Sequence, residues 1–100
     1  MADVKLTGFT ITANGNYDLD NTQITGGRRY AIGIAYNSGT GTIQVQYKTN
    51  GGTWVTYSDG TFTASDEYEF IALSNGVRVV ASSLAAADID ITIYPVRQLS

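Results

Sequence analysis

Asp88 and Asp90 stand two residues apart, on the same side of a segment that alternates apolar and polar side chains. Two carboxylates so placed can ligate Ca²⁺, or divide into acid and base when their surroundings split their pKa values. They equally keep the wet face of an apolar strand soluble, and this plainer reading is preferred. Asp18-Leu19-Asp20-Asn21 has the acidic spacing of part of a calcium loop but lacks the required glycine and terminal glutamate. Turn and capping roles account for these residues. Asp66, Glu67 and Glu69 form an acidic cluster, and Arg28, Arg29, Lys48 and Arg78 are the main cations of the strand region. Arg28-Arg29, beside Tyr30, offers planar forks to carboxylates on a partner chain; two exposed arginines at a strand start is the plainer alternative. Ion pairs between subunits could join the two sets, each worth about 0–1 kcal/mol at a surface.

Nucleophilic catalysis finds no support. The chain has no histidine and no cysteine, so its serines lack the usual base and no thiol nucleophile, thiolate metal site or disulfide exists. No Gly-x-Ser-x-Gly elbow occurs, and no glycine-rich loop opens a helix to cradle phosphate. The reading is therefore of a protein that is not an enzyme and uses no cofactor and no metal. Tyr47, Trp54, Tyr57 and Phe62 are close in sequence and could stack on sugars, although such residues more often build a core or an interface. Trp54 and Tyr57 fall on opposite faces at a period of two, which argues against one flat platform.

The elements that must position these residues are strands. Val4 to Thr12 reads as a first strand, with Val4 and Leu6 on one face, Phe9 and Ile11 on the other, and Gly8 as a bulge or face switch. Asn14-Gly15 is a tight-turn signal, Tyr17 and Leu19 mark a short edge strand, and Asp20 to Gly27 reads as a loop. Arg28 to Tyr36 is the clearest strand. Tyr30, Ile32, Ile34 and Tyr36 share one face, and Ala31, Gly33 and Ala35 the other. That small-residue face is expected beneath an opposing sheet, or alternatively against a neighbouring subunit. After a turn at Asn37 to Gly41, Thr42 to Lys48 alternates again, and Asn50-Gly51-Gly52 closes a hairpin onto Thr53 to Tyr57. Asp59-Gly60 turns into Thr61 to Ala64, Glu67 to Leu73 follows, and Asn75-Gly76 turns into Val77 to Ser82. Ser83 to Ala87 is the one possible helical stretch, too short to be stable alone. Ala87 to Tyr94 turns Ile89, Ile91 and Ile93 inward, and Pro95 ends it.

This pattern predicts an all-β domain: a single small antiparallel β-sandwich, jelly-roll-like, of eight or nine short strands over residues 1–100. Residues 1–25 are read as a possible attachment or strand-exchange segment. The chain of 100 residues is 43% hydrophobic and only 15% charged, which is globular and lightly charged for a soluble monomer. A partner is expected to cover part of that surface. A net charge of −3 argues against a nucleic-acid partner, which needs a basic face. No run approaches the roughly 18–20 apolar residues of a membrane helix, and Met1 to Leu6 does not read as a secretory signal.

From Gly26 onward the organisation resembles small β-sandwich virion accessory proteins of tailed bacteriophages. The resemblance lies in Gly-Gly-Arg-Arg-Tyr-Ala-Ile-Gly-Ile-Ala at 26–35, Thr-Ile-Gln-Val-Gln-Tyr at 42–47, Trp54, and Asp59-Gly60-Thr61-Phe62-Thr63. It continues through Glu69-Phe70, Asn75-Gly76-Val77-Arg78-Val79 and Asp88-Ile89-Asp90-Ile91-Thr92-Ile93-Tyr94-Pro95-Val96. It is one of pattern over about three-quarters of the chain, and carries over no single functional residue. It implies a structural role, foremost a capsid decoration or cement protein on the head surface. A tail, neck or head-fibre module is the first alternative and a carbohydrate-binding sandwich the second. The implied partner is the major capsid protein or another virion protein. Analogy favours a homotrimer, made in the host cytoplasm and carried on the capsid surface. The contact residues expected for such a role are Val4, Leu6, Phe9, Arg28, Arg29, Trp54 and Tyr57.

Overall fold

Tyr30, Ile32 and Ile34 alternate with smaller residues along one strand, and Ile89, Ile91 and Ile93 alternate with Asp90 and Thr92 along another. Each set buries completely or nearly so, and the two strands pair antiparallel, Ile32 opposite Ile93 and Ile34 opposite Ile91. The computed structural model describes residues 7–19 and 24–96. These form six strands: β1 (Thr7–Ile11), β2 (Gly15–Asp18), β3 (Arg29–Lys48), β4 (Trp54–Phe62), β5 (Asp66–Ile71) and β6 (Val77–Pro95). All pairings are antiparallel. No helix long and apolar enough to cross a membrane occurs among the described residues, which says nothing of a β-barrel.

β3 and β6 are the axis of the molecule. They run 20 and 19 residues and stay paired from Tyr30–Pro95 to Tyr47–Val77. One end of this ribbon, β3 up to Tyr36 with β6 from Ile89, is flanked by β5 on β3 and by β1 on β6. The other end, Ile43–Lys48 with Val77–Ala81, is flanked by β4 on β3 and by β2 on β6. Side chains from both ends meet in one apolar cluster, which includes Ile32, Ile34, Ile91 and Ile93 from the first and Ile43, Val45, Val77 and Val79 from the second. Burying an isoleucine fully is worth about 1.5–3 kcal/mol relative to leaving it exposed, so this cluster is the main source of stability.

Between the two ends the ribbon turns a corner. The pairing shifts register three times between Tyr36 and Thr42, and Gly39, Ser83 and Ala86 adopt φ of 77°, 56° and 50°. Bulges and left-handed residues let a strand bend without losing its partner. Gly39 is required here. A Cβ on it would run into the carbonyl oxygens of Ala85 and Ala86. Asn14, between β1 and β2, closes the outside of the corner by accepting the Leu84 N–H at 3.0 Å.

Several sequence expectations need correction. The strands expected at 28–36 and 42–48 are one strand, as are those at 77–82 and 87–94, because corner residues keep pairing where composition signals turns. Ser83 to Ala87 is strand and not helix. Asp59-Gly60 does not separate two strands. It lies in a bulge of β4, where Gln44 pairs Thr61 and Gln46 pairs Thr56. β1 keeps regular register with β6 through Gly8, so Gly8 is neither bulge nor face switch. Of the small residues expected beneath an opposing sheet or a neighbouring subunit, Ala31 is buried, Gly33 half-buried and Ala35 exposed, and none of them joins the apolar cluster; Ala31 lies beside Tyr94 and Gly33 beside Thr92 and Glu67.

Candidate functional site

The residues expected to make contacts are spread over the molecule. Val4 and Leu6 lie outside the described residues. Phe9 sits on the inward face of β1, opposite Ile91, half-buried and stacked on Tyr17 at 5.9 Å. Arg28 is exposed just before β3, and its backbone carbonyl accepts the Ala72 N–H at 2.8 Å. Arg29 pairs with Glu69 on β5 at 3.8 Å. This ion pair lies within one chain and is exposed enough to be worth only about 0–1 kcal/mol.

Trp54 and Tyr57 do point to opposite faces. Trp54 lies on the outer face opposite Lys48, and the Arg78 guanidinium carbon sits 4.2 Å from its ring centroid. Arg78 Nε donates to Gln46 Oε1 at 2.9 Å, and Gln46 Nε2 donates to Thr56 Oγ1 at 3.0 Å. Facing residues on β6, β3 and β4 thus form a hydrogen-bonded row beside the indole. Sequence reading marked Arg78 only as a cation and missed Gln46; the signal available was the Gln44, Gln46, Lys48 alternation on an outer face.

Tyr57 belongs to a different assembly. Its ring lies 4.9 Å from Tyr47 and 5.2 Å from Phe70, and Phe70 continues to Tyr30 and Tyr68 at 6.0 Å each. Phe62 packs edge-on to Tyr68 at 5.3 Å. The Tyr57 hydroxyl donates to the Ile71 carbonyl, and that of Tyr68 donates to the Ser58 carbonyl across from β5 to β4. Burial pushes the Tyr57 and Tyr68 phenols above their ordinary pKa, as it does for Tyr36, whose hydroxyl donates toward the Gly41 carbonyl. These aromatic side chains close one side of the molecule. Beside them, Tyr47, Asn50, Leu73 and Ser74 line an open groove of about 560 Å³. Leu73 is 60% exposed there.

The Asp88 and Asp90 carboxylates are engaged by neighbouring side chains. No group of three or more potential ligands gathers among the described residues. Asp90 instead accepts from Thr10 Oγ1 at 2.8 Å and from Asn37 Nδ2 at 2.9 Å, and these bonds hold its carboxyl below the ordinary range. Asn37 also reaches Asp88 at 3.4 Å.

The site is thus a set of surfaces around an apolar interior, carried on an all-β antiparallel scaffold. No protein-family model matches the chain, and no curated protein matches its sequence. Solved structures do resemble it. The Yersinia pseudotuberculosis-derived mitogen matches with a TM-score of 0.61 at 9% identity, covering 99% of this chain and 89% of that one. A de novo designed double-stranded β-helix matches at 0.50 and 19% identity, over 90% and 96%. The CBM22-1–GH10 modules of a Clostridium thermocellum endo-1,4-β-D-xylanase, complexed with xylohexaose, match at 0.53 and 14% identity, over 99% of this chain and 30% of that one. At these identities the likeness is one of fold.

Proposed function

We propose that this chain is a noncatalytic structural protein of a tailed-bacteriophage virion, and specifically a decoration protein bound to the head surface. The observation that supports the reading is the interior. Among the described residues no polar or charged side chain is buried, and the core is filled by aliphatic and aromatic groups. Such a protein recognises partners through edges and outer faces, as a lattice-binding protein does. The virion itself enters through the sequence resemblance. Many copies bound noncovalently to neighbouring capsid subunits would act together through high effective concentration.

The finer architecture in this proposal is a jelly-roll sandwich. In this reading the corner divides β3 and β6 into two segments each, with the pairing order β1–β6–β3–β5 forming one layer and β2–β6–β3–β4 the other; the pairings themselves support the two orders. The smallest extent of the molecule, 22 Å, is what two sheets about 10 Å apart need together with their outer side chains.

Purified protein added to expanded heads that lack it should bind saturably and raise their disruption temperature. Absence of binding at saturating concentration overturns the decoration role; labelling of the tail, neck or fibres instead moves the protein to those positions. A second reading, a carbohydrate-binding module, is favoured by the row Arg78–Gln46–Thr56 beside Trp54 and by the likeness to the xylanase modules. Trp54 is the chain's one tryptophan, so titration with xylohexaose should change its fluorescence under this reading, and Trp54→Ala should abolish binding.

A further inference from the structure

Among the described residues four strands flank the β3–β6 ribbon: β1, β2, β4 and β5. Open strand edges invite another chain unless charge, bulges or shortness discourage it. Three of the four carry such features. β5 bears Asp66, Glu67 and Glu69 within six residues. β4 is interrupted by its bulge, where Asp59 has φ 61°. β2 is four residues long and ends on Asp18. β1 differs. Its sequence, Thr-Gly-Phe-Thr-Ile, has no charge and no proline, and its five pairs with β6 run without a shift.

We propose that β1 is where a second copy of this chain adds, antiparallel, about a two-fold axis at Phe9. In that register Gly8 of one copy lies opposite Thr10 of the other, and Phe9 lies opposite its own mate. A bare position on the outer face thereby meets a filled one. A depression of about 240 Å³ formed by Gly8, Phe9, Thr10, Asp90 and Thr92 leaves room for the partner's side chain there. On the inner face each half-buried Phe9, stacked on Tyr17, continues into its counterpart. Electrostatics allow the pairing. Asp90, the acidic neighbour of β1, is turned toward Thr10 and Asn37. Its mate would be three strand spacings away, about 14 Å, beyond the screening length of about 8 Å in physiological salt. A chain of net charge −3 would meet its own carboxylates if it paired through β5. A two-fold interface uses the same patch twice, so each copy offers both the bare Gly8 and the filled Thr10 to its mate. This inference does not depend on the virion reading, and its symmetry differs from the trimer that analogy favours.

The test combines sedimentation with spin labelling of the full chain. Wild type should show a concentration-dependent dimer, and Thr10→Lys should raise the dissociation constant by about tenfold or more. With no native cysteine, Thr10→Cys can carry the only nitroxide. Diagonal neighbours on an antiparallel pair lie about 7–8 Å apart, so the dimer's spectrum should be strongly broadened and should sharpen on dilution. A monomer at every soluble concentration, a trimer, or a dimer without broadening overturns the proposal.

Discussion

Tyr57 holds Leu73 through its hydroxyl, which accepts the Leu73 N–H at 3.0 Å while donating to the Ile71 carbonyl at 2.9 Å. One side chain on β4 therefore ties down the segment that follows β5. Because Tyr57 also packs on Tyr47 and Phe70, the hydroxyl and the ring can be separated by substitution. Tyr57→Phe should keep the ring contacts and lose the bridge, at a cost of about 1–2 kcal/mol in urea unfolding. Tyr57→Ala should cost more, about 2–4 kcal/mol, as it also empties the space between Tyr47 and Phe70. Equal losses in the two variants would show that the bridge, and not the ring, carries the effect.

The same burial predicts an alkaline limit. Tyr57, Tyr68 and Tyr36 have folded-state pKa values raised above 10.0, because burial disfavours the phenolate. Above that ordinary value the unfolded chain releases protons that the folded one keeps, so stability falls as pH rises. The contribution is complete below about pH 10 and is lost as pH passes through the raised values. The denaturation midpoint should decline over that window together with a late rise in tyrosinate absorbance. Tyr68→Phe should make the decline shallower, and a midpoint flat across the window would refute the linkage.

Period two was enough to read much of this from the residues. The alternation of Thr42 to Lys48 turns Ile43 and Val45 inward and Gln44 and Gln46 outward, and the same period puts Trp54 and Tyr57 on opposite faces. What it could not show was continuity. Asn37 to Gly41 has the composition of a turn, yet in the fold Ser38 and Thr40 stay paired with Asp88 and Ala85, because a corner needs the same glycines as a turn. The small residues Ala31, Gly33 and Ala35 suit close approach of another sheet or a neighbouring subunit; in the fold the Tyr94 side chain, donating to Glu67 at 3.0 Å, lies beside Ala31 on that face. The hydrogen-bonded row of Arg78, Gln46 and Thr56 depends on cross-strand register, which no local pattern encodes.

The corner makes Gly39 the most sensitive glycine to substitute. Gly39→Ala must accept φ 77° and push back the Ala85 and Ala86 carbonyls, which are backbone of the paired strand and cannot rotate away. Left-handed strain alone costs about 1–3 kcal/mol, and displacement of the ribbon adds to it. The variant should lose about 3 kcal/mol or more in thermal or chemical unfolding. Gly51→Ala is the control, since a Cβ there meets nothing. Equal stability of the two variants would mean that the corner yields more easily than its backbone contacts imply.

The Arg78 guanidinium over Trp54 gives a spectroscopic handle. Arg78→Ala removes both the stacking cation and the donor to Gln46. At a half-exposed site the stacking itself is worth about 0.5–1 kcal/mol, so the stability loss should be small. The change in Trp54 emission should be clear, as the indole gains water where the guanidinium lay. An unchanged spectrum would show that the ring is covered by other groups.

Acid should act through Asp90. Hydrogen bonds from Asn37 and Thr10 hold its carboxyl below the ordinary value of 3.8. As pH drops through about 4 the unfolded chain takes up a proton while folded Asp90 stays ionised, so folding loses stability. The loss is complete once pH passes below the lowered folded value, and nothing is lost at neutral pH. Asp90→Asn should therefore flatten the acid limb of a stability profile, and Asn37→Ala should move it the same way by removing the amide that donates to the Asp90 carboxylate. Because Thr10 lies on β1 and Asn37 on the corner of β3, the carboxylate clamps an edge strand to the ribbon's bend. Hydrogen exchange in β1 should accordingly quicken on acidification in wild type but depend less on pH in Asp90→Asn. Identical acid limbs for wild type and Asp90→Asn would remove Asp90 from this role.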